Sequence, residues 1–270
     1  MGSAIRMWFT AVSDQKRTEV ARAGYSWRQF LILFLAGVLG GLAVTPYLLA
    51  TLPPEAKAPP PIPLLLLSSL VNEAVQMAIA VGIGLAAARA VGLRAPISQA
   101  LAEHSDLRAA IREIDPLRAA LFGVAASVAV VALDLTVFHD AAASFAQTGV
   151  AAPPRLVGLL ASFEGGITEE LLLRLFVMSA VAWVLTRIWR RRPPAVFWAA
   201  NLVAALLFGL GHLPATAALV PLTPIIVMRA IVLNGLLGVV AGWFYWRRGL
   251  ESAMVAHFAG DIVLHAIIGS

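Results

Sequence analysis

Hydrophobic residues in this chain run in long blocks, without the alternating or amphipathic rhythm of a soluble domain. Near-continuous apolar stretches cover Phe30–Leu52, Leu64–Ala88, Ala119–Phe138, Leu156–Thr186, Val196–Leu213, Pro224–Trp246 and Leu250–Ile268. A bilayer core about 30 Å thick needs roughly 20 apolar residues at about 1.5 Å per residue. Each block is long enough to cross. The fold expected is all-α, a polytopic transmembrane bundle of about seven spans. The first block follows a basic segment, as a signal peptide would, but it is too long for a signal h-region and six further spans follow. It reads as an uncleaved anchor. Trp27, Trp183, Trp189, Trp243 and Trp246 fall near span ends, as an interfacial aromatic belt requires.

One stretch follows a different period. Between the second and third blocks, Ile97, Leu101, Leu107, Ile111 and Ile114 recur at helical spacing, with Glu103, Asp106, Arg108, Arg112 and Glu113 between them. The pattern predicts one amphipathic helix over 97–117 lying on the membrane surface. Pro53, Pro54, the Pro59–Pro61 run and Pro63 predict a stiff connection between the first two spans.

Composition agrees with a membrane class. Of 270 residues, 60% are hydrophobic and only 13% charged, where soluble domains are nearer half and a quarter. With no cysteine in the chain, disulfides, thiol catalysis and thiolate metal sites are excluded. The basic residues orient the bundle. Arg6, Lys16, Arg17, Arg22 and Arg28 precede the first span, and Arg89, Arg94, Arg108, Arg112 and Arg118 flank the second connection. Arg187 and Arg190–Arg192 follow the fourth span, and Arg247 and Arg248 follow the sixth. That places sixteen of the twenty Lys and Arg residues on one side, so the N-terminus is expected in the cytoplasm. The high pI of about 10.4 is therefore a topology signal, and no nucleic-acid partner is expected. The Ala- and Arg-rich composition leans toward a prokaryotic plasma membrane.

Ionisable groups inside the spans carry the candidate chemistry, because each costs at least ~2.5–3.5 kcal/mol to insert. The fourth span holds Glu164, Glu169, Glu170 and Arg174; the fifth ends at His212; the seventh carries His257, Asp261 and His265. On an α-helix Glu170 and Arg174 share a face and can pair, while Glu169 points about 100° away. Ser162, Gly165, Gly166 and Leu173 lie on the Glu169 side and leave room for a water or a peptide backbone. His257 and Asp261 are also four apart, and His265 continues their face. His212 precedes Pro214, where the helix is expected to loosen. A carboxylate, two histidines and a second acid on three spans supply a base for water and groups for a developing oxyanion. Asn72, Glu73 and Gln76 of the second span are expected to bury their polar groups against Arg229 or Asn234, with the lining of a substrate path as the alternative. On a straight bundle His212 and His257 stand at different depths. They meet only if the fifth span starts deeper or the helices tilt strongly.

Three motifs occur in order: Glu169-Glu170-Leu-Leu-Leu-Arg174 (E-E-x-x-x-R), Phe208-Gly-Leu-Gly-His212 (F-x-x-x-H) and His257-Phe-Ala-Gly-Asp261 (H-x-x-x-N/D). Together, in membrane spans, they resemble the CAAX-prenyl-protease and bacteriocin-processing (CPBP, or Abi) family of intramembrane endopeptidases. The resemblance covers about residues 156–268. It implies that Glu169 and His212 activate the attacking water, that His257 and position 261 stabilise the oxyanion, and that Glu170 and Arg174 support the site. Aspartate at 261 departs from asparagine because an ionised carboxylate only accepts, so Asp261 is expected to orient or charge His257. Glu169, His212 and His257 would also make a two-His, one-carboxylate zinc set. There is no H-E-x-x-H pair, and the resemblance favours a glutamate-dependent mechanism without cofactor or metal.

The expected division is a basic N-terminal segment (1–29), accessory spans with the interfacial helix (30–155) and a catalytic core (156–268). The expected partners are the lipid bilayer and a membrane-associated peptide or protein substrate, cut near a hydrophobic or lipidated C-terminal segment. The competing classes are a proton- or ion-coupled transporter using the same acids and histidines, and an inactive scaffold of the same fold. No paired halves of a repeated transporter fold are evident.

Overall fold

The computed structural model describes residues 26–51, 61–150 and 152–268. Most of the basic N-terminal segment, Lys57, and Pro53, Pro54, Pro59 and Pro60 of the proline-rich connection lie outside these residues. The described chain is helical throughout, with no strand. Seven of its helices are long and apolar enough to cross a membrane: Trp27–Ala50, Pro63–Val91, Leu107–Thr136, Arg155–Trp189, Pro194–Ala217, Pro224–Arg248 and Leu250–Ile268. They match the seven hydrophobic blocks closely, because one bilayer-length apolar run leaves the backbone little alternative to internal helical hydrogen bonding. Large apolar side chains such as Leu67, Val75, Leu121, Val128 and Leu206 stay exposed on the outer faces. Those faces are suited to lipid.

The fifth and sixth spans pack in broad contact, as do the third and seventh. Small residues set these close approaches. The backbone of Ala256 lies against Gly123, and Ser127 Oγ lies against Gly260. Absent a hydrophobic drive between helices in lipid, such van der Waals packing is a main cohesive term. The largest core joins Met77, Val81 and Leu85 of the second span to Leu171, Leu175 and Met178 of the fourth, with Phe197, Tyr245 and Leu250. A smaller cluster at the opposite end holds Val130, Phe138, Ala141, Ile226 and Leu233.

Two departures from the expected elements matter for the site. The surface stretch is not one helix but two, Pro96–Glu103 and Leu107–Ile114. His104 adopts a left-handed φ of 53°, and Asp106 then caps the second helix by accepting from the Ala109 N–H at 3.0 Å. This pair fastens the start of the seventh span: Leu250 N donates to Arg94 O at 2.9 Å, Ser98 N donates to Glu251 Oε1 at 2.8 Å, and Ser252 Oγ donates to Ile114 O at 2.7 Å. The first span is also divided, into Trp27–Ala43 and Thr45–Ala50. Pro46 lies at the start of the second piece, where the missing N–H breaks the helical ladder.

The second span corrects one expectation. It packs on the first and fourth spans, so Asn72, Glu73 and Gln76 do not bury against Arg229 or Asn234. Arg229 instead donates twice to Asp134, at 2.6 and 2.7 Å, and its guanidinium lies over Phe145. Asn234 donates to its own helix at Ala230 O, 2.8 Å. Asp134 and Arg229 belong to neighbouring spans, which satisfies both charges locally.

Candidate active site

The fourth span bears the two adjacent acids, and it is not a uniform α-helix. Arg155–Phe163 and Ser179–Trp189 are α-helical, whereas Glu164–Glu169 and Leu171–Met178 wind as π-helix. This i→i+5 winding is rare and is frequently found at functional sites. Gly165 and Gly166 sit in the first wide turn. A β-carbon on Gly165 would run into Asp261 Oδ2, and one on Gly166 would stand 2.7 Å from Phe258 Cβ. Glycine at both places lets the seventh span lie directly against the turn.

That contact separates the environments of the two glutamates. Glu170 is completely buried. Its Oε1 lies 3.2 Å from Arg174 Nη1 and 2.7 Å from His257 Nδ1. Arg174, also without exposure, donates through Nη2 to Gly238 O of the sixth span at 2.7 Å. Glu169 keeps 18% of its side-chain surface exposed, and its two oxygens face different imidazoles. Oε1 lies 3.9 Å from His212 Nε2, and Oε2 lies 3.6 Å from His257 Nε2. Asp261 is buried, its Oδ1 3.6 Å from the same His257 Nε2 and 4.0 Å from His265 Nε2.

Donor and acceptor logic then assigns the ring nitrogens. A backbone carbonyl only accepts, so the 2.9 Å contact between His212 Nδ1 and Phe208 O makes Nδ1 the protonated nitrogen of His212. When the ring is neutral its Nε2 presents a lone pair to Glu169. His257 donates Nδ1–H to Glu170, so its Nε2 is a donor only in the imidazolium form. Glu169, Glu170 and Asp261 supply the compensating negative charge around it. The contact at His257 Nδ1 comes from Glu170, while Asp261, expected to orient or charge this ring, places its carboxylate beside the second ring nitrogen, Nε2.

The structure brings Glu169, Glu170, Arg174, His212, His257 and Asp261 together around one point. His212 and His257 do meet at Glu169, although the fifth helix begins at Pro194, right after Arg190–Arg192. His212 follows the last residue of that helix, and its ring folds back one turn onto Phe208 O, the direction in which helical side chains lean. Phe208 fills the space between, its ring centroid 4.9 Å from that of His212 and 5.3 Å from that of His257. Arg174 stacks on the same ring.

Residues 151–263 match the family model for type II CAAX prenyl endopeptidases, described as Rce1-like. They form an Rce1-like domain. The match agrees with the CPBP resemblance drawn from the three motifs. No significant match to the chain was found among curated proteins or solved structures. With seven helices long and apolar enough to cross a membrane, the chain is an integral, multi-pass membrane protein that carries this Rce1-like domain.

Around the Rce1-like motifs the fold adds residues that sequence reasoning left without a role. Glu164 is within electrostatic reach of Glu169, Asp261, His257 and Glu73. On an α-helix it would point away from Glu169, and the wider π winding brings residues five apart closer to one face. The paired glycines were the only sequence signal of that change. Tyr47, on the second piece of the broken first span, places its hydroxyl 3.5 Å from His265 Nδ1. Nothing in the sequence joins two residues 218 positions apart. Among the described residues, no group of three His, Asp or Glu side chains converges in a geometry suited to hold a metal ion.

Proposed function

We propose that the Rce1-like domain hydrolyses a peptide bond next to a hydrophobic or lipidated C-terminal segment, using Glu169 as the base for water. The observation that carries this reading is the position of the Glu169 carboxylate, partly open and set between the Nε2 atoms of His212 and His257. A water held between Glu169 and the His212 lone pair has both hydrogens engaged, and its free lone pair is turned outward. It attacks the scissile carbonyl carbon while Glu169 takes one proton. The carbonyl π pair moves to oxygen, and the Nε2–H of His257 imidazolium stabilises that oxyanion. Collapse breaks the C–N bond, and the proton returns from Glu169 to the leaving amine. The products are a new carboxylic acid and a free amine, and transfer of the acid proton to the amine lets them leave as carboxylate and ammonium.

Glu170 and Arg174 serve this chemistry indirectly, since Glu170 holds His257 Nδ1 and Arg174 neutralises Glu170. A helical substrate hides its carbonyls, so the bound peptide must be unwound. The mechanism uses no metal. Cleavage by the purified full-length protein is expected to persist with a chelator and to fall ~10²–10⁴-fold in Glu169→Gln, the range of a lost general base. His257→Ala is expected to lose ~10²–10³-fold, as for an oxyanion donor. Cleavage abolished by chelator and restored by zinc would replace the glutamate mechanism with a metal one. Undiminished cleavage by Glu169→Gln would remove Glu169 from the reaction.

A further inference from the structure

Asp261 has no direct part in activating water, yet it lies against the reactive nitrogen of His257. Its Oδ1 is flanked by two imidazoles, His257 Nε2 at 3.6 Å and His265 Nε2 at 4.0 Å. Asp261 Oδ2 meanwhile lies against Gly165, so the carboxylate has little room to turn away. A carboxylate this close competes with substrate for the proton on His257 Nε2. If it closes on that nitrogen, the donor needed by the oxyanion is consumed. Something must hold the carboxylate back while keeping its charge nearby.

The geometry points to the other imidazole. His265 is one turn beyond Asp261, on the terminal π-helical segment Ile262–Ile268. Its far nitrogen, Nδ1, lies 3.5 Å from the Tyr47 hydroxyl, and the two rings meet edge to face at 5.5 Å between centroids. Tyr47 reaches this position because the first span breaks before Pro46 and its second piece packs on the start of the fourth span. Both Tyr47 and His265 lie outside the matched residues 151–263.

We propose that Tyr47 and His265 are positioning residues for Asp261. The Tyr47 hydroxyl donates to His265 Nδ1, which leaves the proton of the neutral ring on Nε2. That Nε2–H faces Asp261 Oδ1 and draws the carboxylate away from His257. His257 Nε2–H then remains available to the oxyanion, with the Asp261 charge still beside it. Contacts of 3.5–4.0 Å without substrate fit an arrangement that tightens in the reactive complex. This inference rests on the roles proposed above for Glu169 and His257.

The tautomer is testable without any substrate. Ring ¹⁵N NMR of histidine-labelled full-length protein in detergent, with His265→Gln to assign the signal, is expected to show His265 protonated on Nε2. The Tyr47→Phe variant is expected to lose that preference. A His265 ring protonated on Nδ1, or one unchanged by Tyr47→Phe, overturns the proposal. Kinetics then test the consequence on a peptide with a farnesylated cysteine, two aliphatic residues and a free C-terminal residue. A glutamine amide mimics Nε2–H and an asparagine amide mimics Nδ1. His265→Gln is thus expected within ~3-fold of wild type, and His265→Asn ~10-fold lower in kcat with KM little changed, about one hydrogen bond to a charged group. Adding His265→Asn to Asp261→Asn is expected to cost nothing further, since both act through one carboxylate. Equal losses for Gln and Asn, or losses that multiply in the double variant, overturn it. Retained cleavage by Glu169→Gln would instead sink the active-site reading, and the tautomer measurement would still decide the Tyr47–His265 contact.

Discussion

Two sides of one site, built on adjacent glutamates, behave as opposites. On the Glu170 side every charge is sealed: Glu170 and Arg174 have no exposure, and their partners are His257 Nδ1 and the Gly238 carbonyl. On the Glu169 side the carboxylate remains partly open, with only loose contacts to His212 and His257. The same functional group is structural in one place and free for chemistry in the other. The difference arises from neighbours, since a charge in a membrane interior must be paired before it can be buried, and a paired charge is a poor base.

The comparison breaks first at the glutamates. Glu169→Gln is expected to remove activity ~10²–10⁴-fold while thermal unfolding in detergent stays near wild type. Arg174→Ala is expected to act the other way. It strands the buried Glu170 charge, at a cost of about 3–5 kcal/mol, and should lower the unfolding temperature and the yield of folded protein before any kinetic effect is read. An Arg174→Ala protein as stable as wild type would show that the sealed side is not structural. Gly165→Ala probes the seam between the two sides. Its new methyl group meets Asp261, so a loss of about 1–3 kcal/mol in stability is expected, with cleavage reduced because the seventh span is pushed off Glu169. The smallest effect belongs to the Asp134–Arg229 pair, which is mostly buried and makes its ion pair outside the Glu169 cluster. Asp134→Asn should cost about 1 kcal/mol, in the range of measured interhelical polar contacts, and leave kcat unchanged. A large kinetic effect there would mean that this ion pair is coupled to the chemistry.

Much of the site was legible before any tertiary structure, for a reason particular to membranes. In a soluble helix Glu169, His212 or Asp261 would be one polar residue among many. In an apolar span each stands out by its insertion cost, so the polar exceptions already outline the site. The π winding was not legible, because paired glycines weaken a helix without saying how it rewinds. Glu164 therefore had no role on an α-helical wheel. The Glu170 contact at His257 Nδ1 was not legible for a related reason. Asp261 is four residues away on the same helix, whereas Glu170 arrives from another span, and local spacing favours the neighbour in sequence.

The sequence alone determined the number of the spans, the membrane class of the protein and the set of ionisable groups placed inside the spans. Those follow from the transfer cost of each side chain between water and hydrocarbon, a property each residue carries with it. Tertiary structure decided which glutamate is sealed and which stays open, which nitrogen of each histidine faces the reaction, and that Tyr47 reaches His265. Those depend on contacts between spans distant in sequence, set by glycine-lined approaches and helix breaks that no single span encodes.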